Sequence, residues 1–65
     1  MYYSRIVFET NASVAEKHTD ERAARQSIEA ERRARPKLFR LGQVLEETTA
    51  LEVVATCDRE GWHPS

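Results

Sequence analysis

The chain is predicted to adopt an α+β fold: an antiparallel sheet of three to four strands with one helix packed on a face, in the order β-α-β-β(-β). Three observations predict it. Apolar residues cluster at both ends of the chain, over residues 2–10 and 38–57, with the two-residue spacing of strands. The charged stretch between them carries Glu–Arg pairs four residues apart and a thin alanine-rich stripe, as a surface helix does. A length of 65 residues allows a single domain, and so one layer of helix on one sheet.

Composition bounds the rest. A chain this short buries about 60% of its unfolded surface, and its core supplies on the order of 3–5 kcal/mol. Oligomerisation or docking on a partner is a common source of further stability for such domains. Cys57 is the only cysteine, so no internal disulfide assists, and a lone thiol fits a reducing compartment. Residues 1–8 are apolar but include Arg5 and lack a small-residue cleavage site, unlike a signal peptide. No apolar run approaches the roughly 18–20 residues of a membrane span. These features lead us to expect a cytoplasmic protein without a membrane partner.

The first strand is predicted over residues 2–10, where aromatic and β-branched residues dominate. Tyr2, Ile6 and Phe8 share a parity and should face one side of the sheet. Thr10-Asn11-Ala12-Ser13 breaks this strand; Asn11-Ala12-Ser13 also matches the glycosylation acceptor pattern but reads more simply as a terminator and helix cap. Ser13-Val14-Ala15-Glu16 has the form of a capping box, and Thr19, before Asp20 and Glu21, is a second candidate N-cap. A helix starting at Ser13 would run about 33 Å, longer than the roughly 26 Å of an eight-residue strand. The main helix is therefore expected over residues 20–34, with 13–19 a looser lead-in turn. Pro36 ends it by disfavouring helical geometry at Arg35, and Arg32, Arg33 and Arg35 suit its carbonyl end.

A second strand is predicted over residues 38–47, with Phe39, Leu41 and Leu45 on one parity and Leu38 and Val44 on the other. Gly42 within it signals a bulge or a close backbone approach. A third is predicted over residues 50–57, with Leu51, Val53, Ala55 and Cys57 facing one way. Asp58-Arg59-Glu60-Gly61 has the composition of a type I turn. Trp62 then starts a short return strand closed by Pro64, most simply as a lid on the core.

Charge is divided along the chain. Residues 17–40 hold eight of the ten basic side chains and sum to +4, while residues 41–65 sum to −4. Two binding surfaces are candidates. Arg32, Arg33, Arg35, Lys37 and Arg40 could contact phosphates at the helix end and the following strand. The plainer reading is a solvated helix face with dipole-matched arginines, and a pI near 6.1 is unlike that of most nucleic-acid binders. Glu46, Glu47, Glu52, Asp58 and Glu60 could imitate a phosphate backbone and fill a nucleic-acid-binding groove. Their plainer reading is charge that guards a sheet edge. Pairing of the acidic sheet of one copy with the basic helix of another would give a homodimer.

Enzyme and cofactor signatures are not found. Two glycines make no phosphate loop, and Ser4, Ser13, Ser27 and Ser65 suggest no nucleophile–base set. Cys57, Asp58, His63 and His18 lack zinc-ligand spacing, so a core cysteine and surface histidines are expected, with no metal and no cofactor.

Gly42-Gln43-Val44-Leu45-Glu46, then Val53-Val54-Ala55, then Asp58-Arg59-Glu60-Gly61-Trp62, resembles a pattern of small phage-encoded proteins. Some of these are anti-CRISPR proteins acting on type I CRISPR-Cas complexes. The resemblance lies in the C-terminal half. It implies stoichiometric binding to Cas subunits of a Cascade-type complex in a bacterial host cell, by steric block or phosphate mimicry, without catalysis. A channel that holds guide RNA and target DNA is basic, which suits clustered carboxylates. The acidic set is then the expected contact surface. The alternative is a small nucleic-acid-binding or regulatory protein that uses the basic set.

Overall fold

The computed structural model describes residues 1–64. Five strands and one helix follow in the order β1 (Tyr2–Phe8), β2 (Ser13–His18), α1 (Glu21–Ala34), β3 (Phe39–Glu47), β4 (Leu51–Cys57) and β5 (Trp62–Pro64). All neighbouring strands are antiparallel, in the spatial order β2-β1-β3-β4-β5. The α+β class holds, with one helix on one face; the sheet has five strands where three to four were expected.

The additional strand is β2. Residues 13–19 were expected to lead into the helix as a looser turn, with Ser13 and Thr19 as the two candidate caps. Instead the chain reverses directly after β1. Asn11 N–H donates to the Phe8 carbonyl at 2.9 Å, and Phe8 N–H donates to the Ala12 carbonyl at 2.9 Å. Asn11 adopts φ 70°, a left-handed conformation that asparagine tolerates better than most residues. The result is a hairpin with an extra residue at the turn, and Val14, Ala15 and Glu16 continue as strand against β1. The helix cap moves to Asp20, one residue beyond Thr19. Its carboxylate accepts the Ala23 N–H at 2.7 Å. At the other end Arg35 closes the helix by donating its N–H to the Glu31 carbonyl at 2.9 Å, directly before Pro36.

The core lies between α1 and one face of the sheet. Ile6, Ala24, Ile28, Phe39, Val44, Ala55 and Cys57 are buried there, with Tyr2, Phe8, Val54 and Trp62 packed around them. Each large apolar side chain so buried contributes about 1.5–3 kcal/mol. Gly42 is a point of close approach, as one of its two sequence readings proposed. A Cβ built there would stand 2.5 Å from Ile28 Cγ2, so the helix rests against bare backbone. The bulge in β3 lies elsewhere: Arg40 is an extra residue opposite Val7/Phe8, so Phe39 joins Val44 in the core while Leu41 and Leu45, expected to share its face, lie on the open side.

A second irregularity corrects the expected facing of β4. Leu45 pairs with Val53 but Val44 pairs with Ala55, so Val54 is an extra residue. Leu51 and Val53 therefore lie on the open face with Leu45, while Ala55 and Cys57 lie in the core. The uncovered face carries Tyr3, Val7, Leu41, Leu45 and Val53, with Arg5 donating to Gln43 Oε1 at 3.0 Å among them. Trp62 is the expected lid: it packs on the core and donates Nε1–H to Glu29 at 2.8 Å. Among the described residues no helix is long and apolar enough to cross a membrane.

Candidate interaction surface

The hairpin joining β3 to β4 gathers three of the five acidic residues singled out in the sequence. Glu46 and Glu52 are direct cross-strand partners and so lie on the same side of the sheet. Like charges placed opposite one another are destabilising, by about 0.2–1 kcal/mol. Among the described residues, Glu46, Glu47 and Glu52 form no ion pair. Their contacts are neutral: Tyr2 donates its hydroxyl to Glu46 Oε2 at 3.1 Å, and Tyr3 donates to Glu47 Oε1 at 3.3 Å. Glu47 and Leu51 are partners on the open face, next to Tyr3, Leu45 and Val53. Glu47 thus borders an apolar surface, while Glu46 and Glu52 lie on the helix side of the sheet with Tyr2.

The start of α1 joins the same end of the molecule. The Tyr2 phenol is raised above its ordinary pKa by its hydrogen bond to Glu46 and by that carboxylate's charge, with smaller contributions from Glu21 and Asp20. Glu21 is paired with Arg25 at 2.8 Å, and Asp20 is committed to the cap.

Asp58 and Glu60 do not belong to this surface. They stand beyond the far end of the seven-residue β4, about 20 Å away. Asp58 builds the turn. Its Oδ1 accepts N–H groups of Glu60 at 2.8 Å and Gly61 at 3.1 Å, and its Oδ2 meets His63 Nε2 at 3.0 Å. These bonds, that from Glu60 first, hold its carboxyl below the ordinary aspartate range. Gly61 has φ 138°, which side-chain-bearing residues rarely adopt.

The basic set is largely engaged within the fold. Arg32 donates to Glu29 at 3.3 Å and to the Arg59 carbonyl at 3.1 Å. Arg35 meets Glu31 at 2.6 Å, and Arg40 donates to Asn11 Oδ1 at 3.0 Å. Arg33 is 82% exposed and only 3.9 Å from Glu29 Oε2. Lys37 is exposed, and its carbonyl accepts from Arg59 at 2.9 Å. Arg59 also pairs with Glu9 at 3.3 Å. The contrast along the sequence therefore does not become two opposed fields. Folding brings Glu9, Glu29, Glu31, Asp58 and Glu60 to the arginine-rich end, while at the opposite end Glu46, Glu47 and Glu52 form no ion pair among the described residues.

Two constellations were missed in the sequence. Glu29 ties helix to sheet: its Oε1 accepts from Trp62 and Arg32 and lies 3.9 Å from Cys57 Sγ, while Arg25 stacks over the Trp62 ring at 4.7 Å. Burial pushes the Cys57 thiol pKa up. The second is Ser4, whose Oγ lies 2.9 Å from His18 Nε2. That spacing suits a nucleophile and its base, but Ser4 is 1% exposed beneath the helix and the histidine satisfies a buried hydroxyl. Its parity with Tyr2 and Ile6 was the signal that placed Ser4 on the inner face.

No family model, no curated protein and no solved structure matches the chain.

Proposed function

We propose that this protein acts by binding, and that the β3–β4 end of its sheet docks on a basic surface of a nucleic-acid-handling protein complex. The observation that carries this reading is the direct opposition of Glu46 and Glu52, neither of which forms an ion pair among the described residues. The Tyr2 hydroxyl gives Glu46 a neutral hydrogen bond but leaves the opposed charges standing, whereas a cationic partner would offset them. Glu47 lies on the open face, where Tyr3, Leu45, Leu51 and Val53 offer apolar area beside it, while Glu46 and Glu52 reach the same end from the helix side. An apolar centre with a polar rim is the usual composition of a protein interface. Inhibition of a type I CRISPR surveillance complex, in a bacterial cytoplasm, is the specific form that the sequence resemblance implies. Glu46, Glu47 and Glu52 would then occupy part of the channel that otherwise receives nucleic acid. Engagement of Arg32, Arg35 and Arg59 inside the fold weighs against the alternative of direct DNA binding by the basic end.

The test compares two sets of neutral substitutions. Glu46→Gln, Glu47→Gln and Glu52→Gln together should weaken capture of a purified type I surveillance complex at least tenfold. Asp58→Asn with Glu60→Gln should leave capture within a few-fold of the parent protein. Full-strength capture by the triple variant would overturn the reading. So would salt-sensitive binding of the unaltered protein to bare duplex DNA.

A further inference from the structure

The sheet ends in two unlike edges. β5 has three residues and includes Pro64, which has no N–H to offer a further strand. β2 has six residues, Ser13–His18, with no proline and no interruption in its pairing with β1. Its backbone directions follow from the hairpin. Phe8 N–H bonds to the Ala12 carbonyl, so in the antiparallel alternation Ile6–Val14, Ser4–Glu16 and Tyr2–His18 are the hydrogen-bonded pairs. The N–H and C=O groups of Ser13, Ala15 and Lys17 therefore point away from β1, along an exposed edge.

We propose that two copies of this chain pair β2 against β2 about a two-fold axis, joining their sheets into one. Charge selects both the occupant and the register. A two-fold axis normal to the sheet keeps both helices on one side, so paired residues must share parity. Centring on Ala15 places Ala15 against its equivalent, Ser13 against the partner's Lys17, and Val14 against the partner's Glu16. Each outward pair exchanges two backbone hydrogen bonds. Centring on Glu16 would oppose two carboxylates at the close spacing of a non-hydrogen-bonded pair. Centring on Val14 would leave only Ser13, Val14 and Ala15 of the strand in register. The Ala15 register is therefore the longest that opposes no like charges.

Side chains on the helical side support the same register. Val14 is 51% exposed and Leu38 45% exposed. They border a groove of about 320 Å³ with Phe8, Thr10, Glu31 and Arg35. The Ala15 register sets the partner's Glu16 beside Val14, at the rim of this groove where Arg35 stands, and the two-fold axis repeats the contact. Arg35 already pairs with Glu31 and Glu16 accepts from Ser27 within each copy, so the partner's Glu16 would add a second carboxylate to a guanidinium that has donors to spare. A lysine on an edge strand ordinarily discourages pairing, but here Lys17 lies on the opposite side of the sheet and faces a serine. This assembly is independent of the proposed docking surface, since antiparallel pairing carries the two β3–β4 ends to opposite ends of the dimer.

Sedimentation equilibrium from about 1 μM to about 1 mM tests it. The mass should rise from 7.5 kDa toward twice that value with concentration. Ala15→Pro removes an outward N–H and no bond to β1, and should raise the dissociation constant at least tenfold. Glu16→Arg and Arg35→Glu should each weaken association, and their combination should restore it even if the proline variant does not fold. Hydrogen exchange supplies the location: amides of Ser13, Ala15 and Lys17 should become protected as concentration rises. A monomer throughout the range would overturn the proposal. So would a dimer in which those three amides exchange as freely as in the monomer.

Discussion

Replacing Gly42 by alanine places a methyl group where α1 rests on the sheet. The new Cβ would stand 2.5 Å from Ile28 Cγ2, 3.1 Å from Cγ1 and 3.3 Å from Cδ1. Ile28 is fully buried and cannot swing into solvent. Relief requires a shift of roughly 1 Å between helix and sheet, or an unfavourable rotamer, and such overpacking costs about 1–3 kcal/mol. Backbone strain does not add to this, because Gly42 is not among the residues with positive φ. Alanine in an unstrained site instead gains about 0.4–1 kcal/mol through the unfolded chain. The sign of the effect therefore reports the contact with Ile28. In the parent protein Gly42→Ala should lower the melting temperature by about 4–8 °C for each kcal/mol lost.

A double-mutant cycle followed by circular dichroism isolates the contact. Ile28→Val keeps both γ carbons and should leave the penalty nearly intact. Ile28→Ala removes them all, so Gly42→Ala should become neutral or stabilising in that background. Ile28→Ala alone costs about 2–5 kcal/mol, comparable to the whole stability of a domain this small. The cycle is therefore run in a stabilising osmolyte, which favours the compact state for all four proteins. An equal loss from Gly42→Ala in the Ile28→Ala background would refute the close approach as its cause.

Trp62→Phe keeps an aromatic lid but removes the hydrogen bond to the Glu29 carboxylate, and should cost about 1.5–3 kcal/mol in urea denaturation. Asp20→Ala should cost about 0.5–2 kcal/mol in the same assay, and Asp20→Ser much less, because a serine hydroxyl can still accept the Ala23 N–H. Asp58 has a folded pKa below its ordinary 3.8. Its stabilising contribution is therefore complete above that value and is lost as pH falls through the folded pKa. Asp58→Asn should destabilise at neutral pH, and its deficit in urea midpoint should shrink below about pH 4; a deficit that stays constant into acid would rule out the carboxylate as its source.

Strand periodicity and the terminator at Pro36 were sufficient to place β1, α1, β3, β4 and β5. The hairpin of β2 was less legible because Ser13-Val14-Ala15-Glu16 satisfies a local helix-start pattern. The competing signal was Asn11, whose tolerance of positive φ turns the chain before Ser13 can act as a cap. The facing of β4 was half legible for a similar reason: one extra residue at Val54 changes parity midway, and period-two reading carries no warning of it. The candidate site divided along the same lines. Glu46, Glu47 and Glu52 share an end because they flank one hairpin. Asp58 and Glu60 follow a strand that runs the full length of the sheet, so nearness in sequence misplaced them. The cancellation of the arginines by Glu9, Glu29 and Glu31 partly depends on pairings distant in sequence, such as Arg59 with Glu9.

The opposition of Glu46 and Glu52 gives stability and binding opposite signs. If that pair carries a cost in the free protein, Glu52→Gln should stabilise it, by a few tenths of a kcal/mol at ordinary salt because Glu52 is exposed. The gain should grow at about 0.01 M salt, where screening reaches only beyond about 30 Å, and disappear near 1 M, where it acts within about 3 Å. The same substitution should weaken docking on a cationic partner. Glu47→Gln is the control, since Glu47 faces Leu51 rather than a carboxylate and its removal relieves no repulsion. A structural carboxylate would behave otherwise: its loss would destabilise the fold, with little dependence on salt. Greater stability together with weaker binding is the combination expected of a residue kept for its partner. Destabilisation by Glu52→Gln, or a gain indifferent to salt, would remove the physical reason for assigning the docking surface to this end of the sheet.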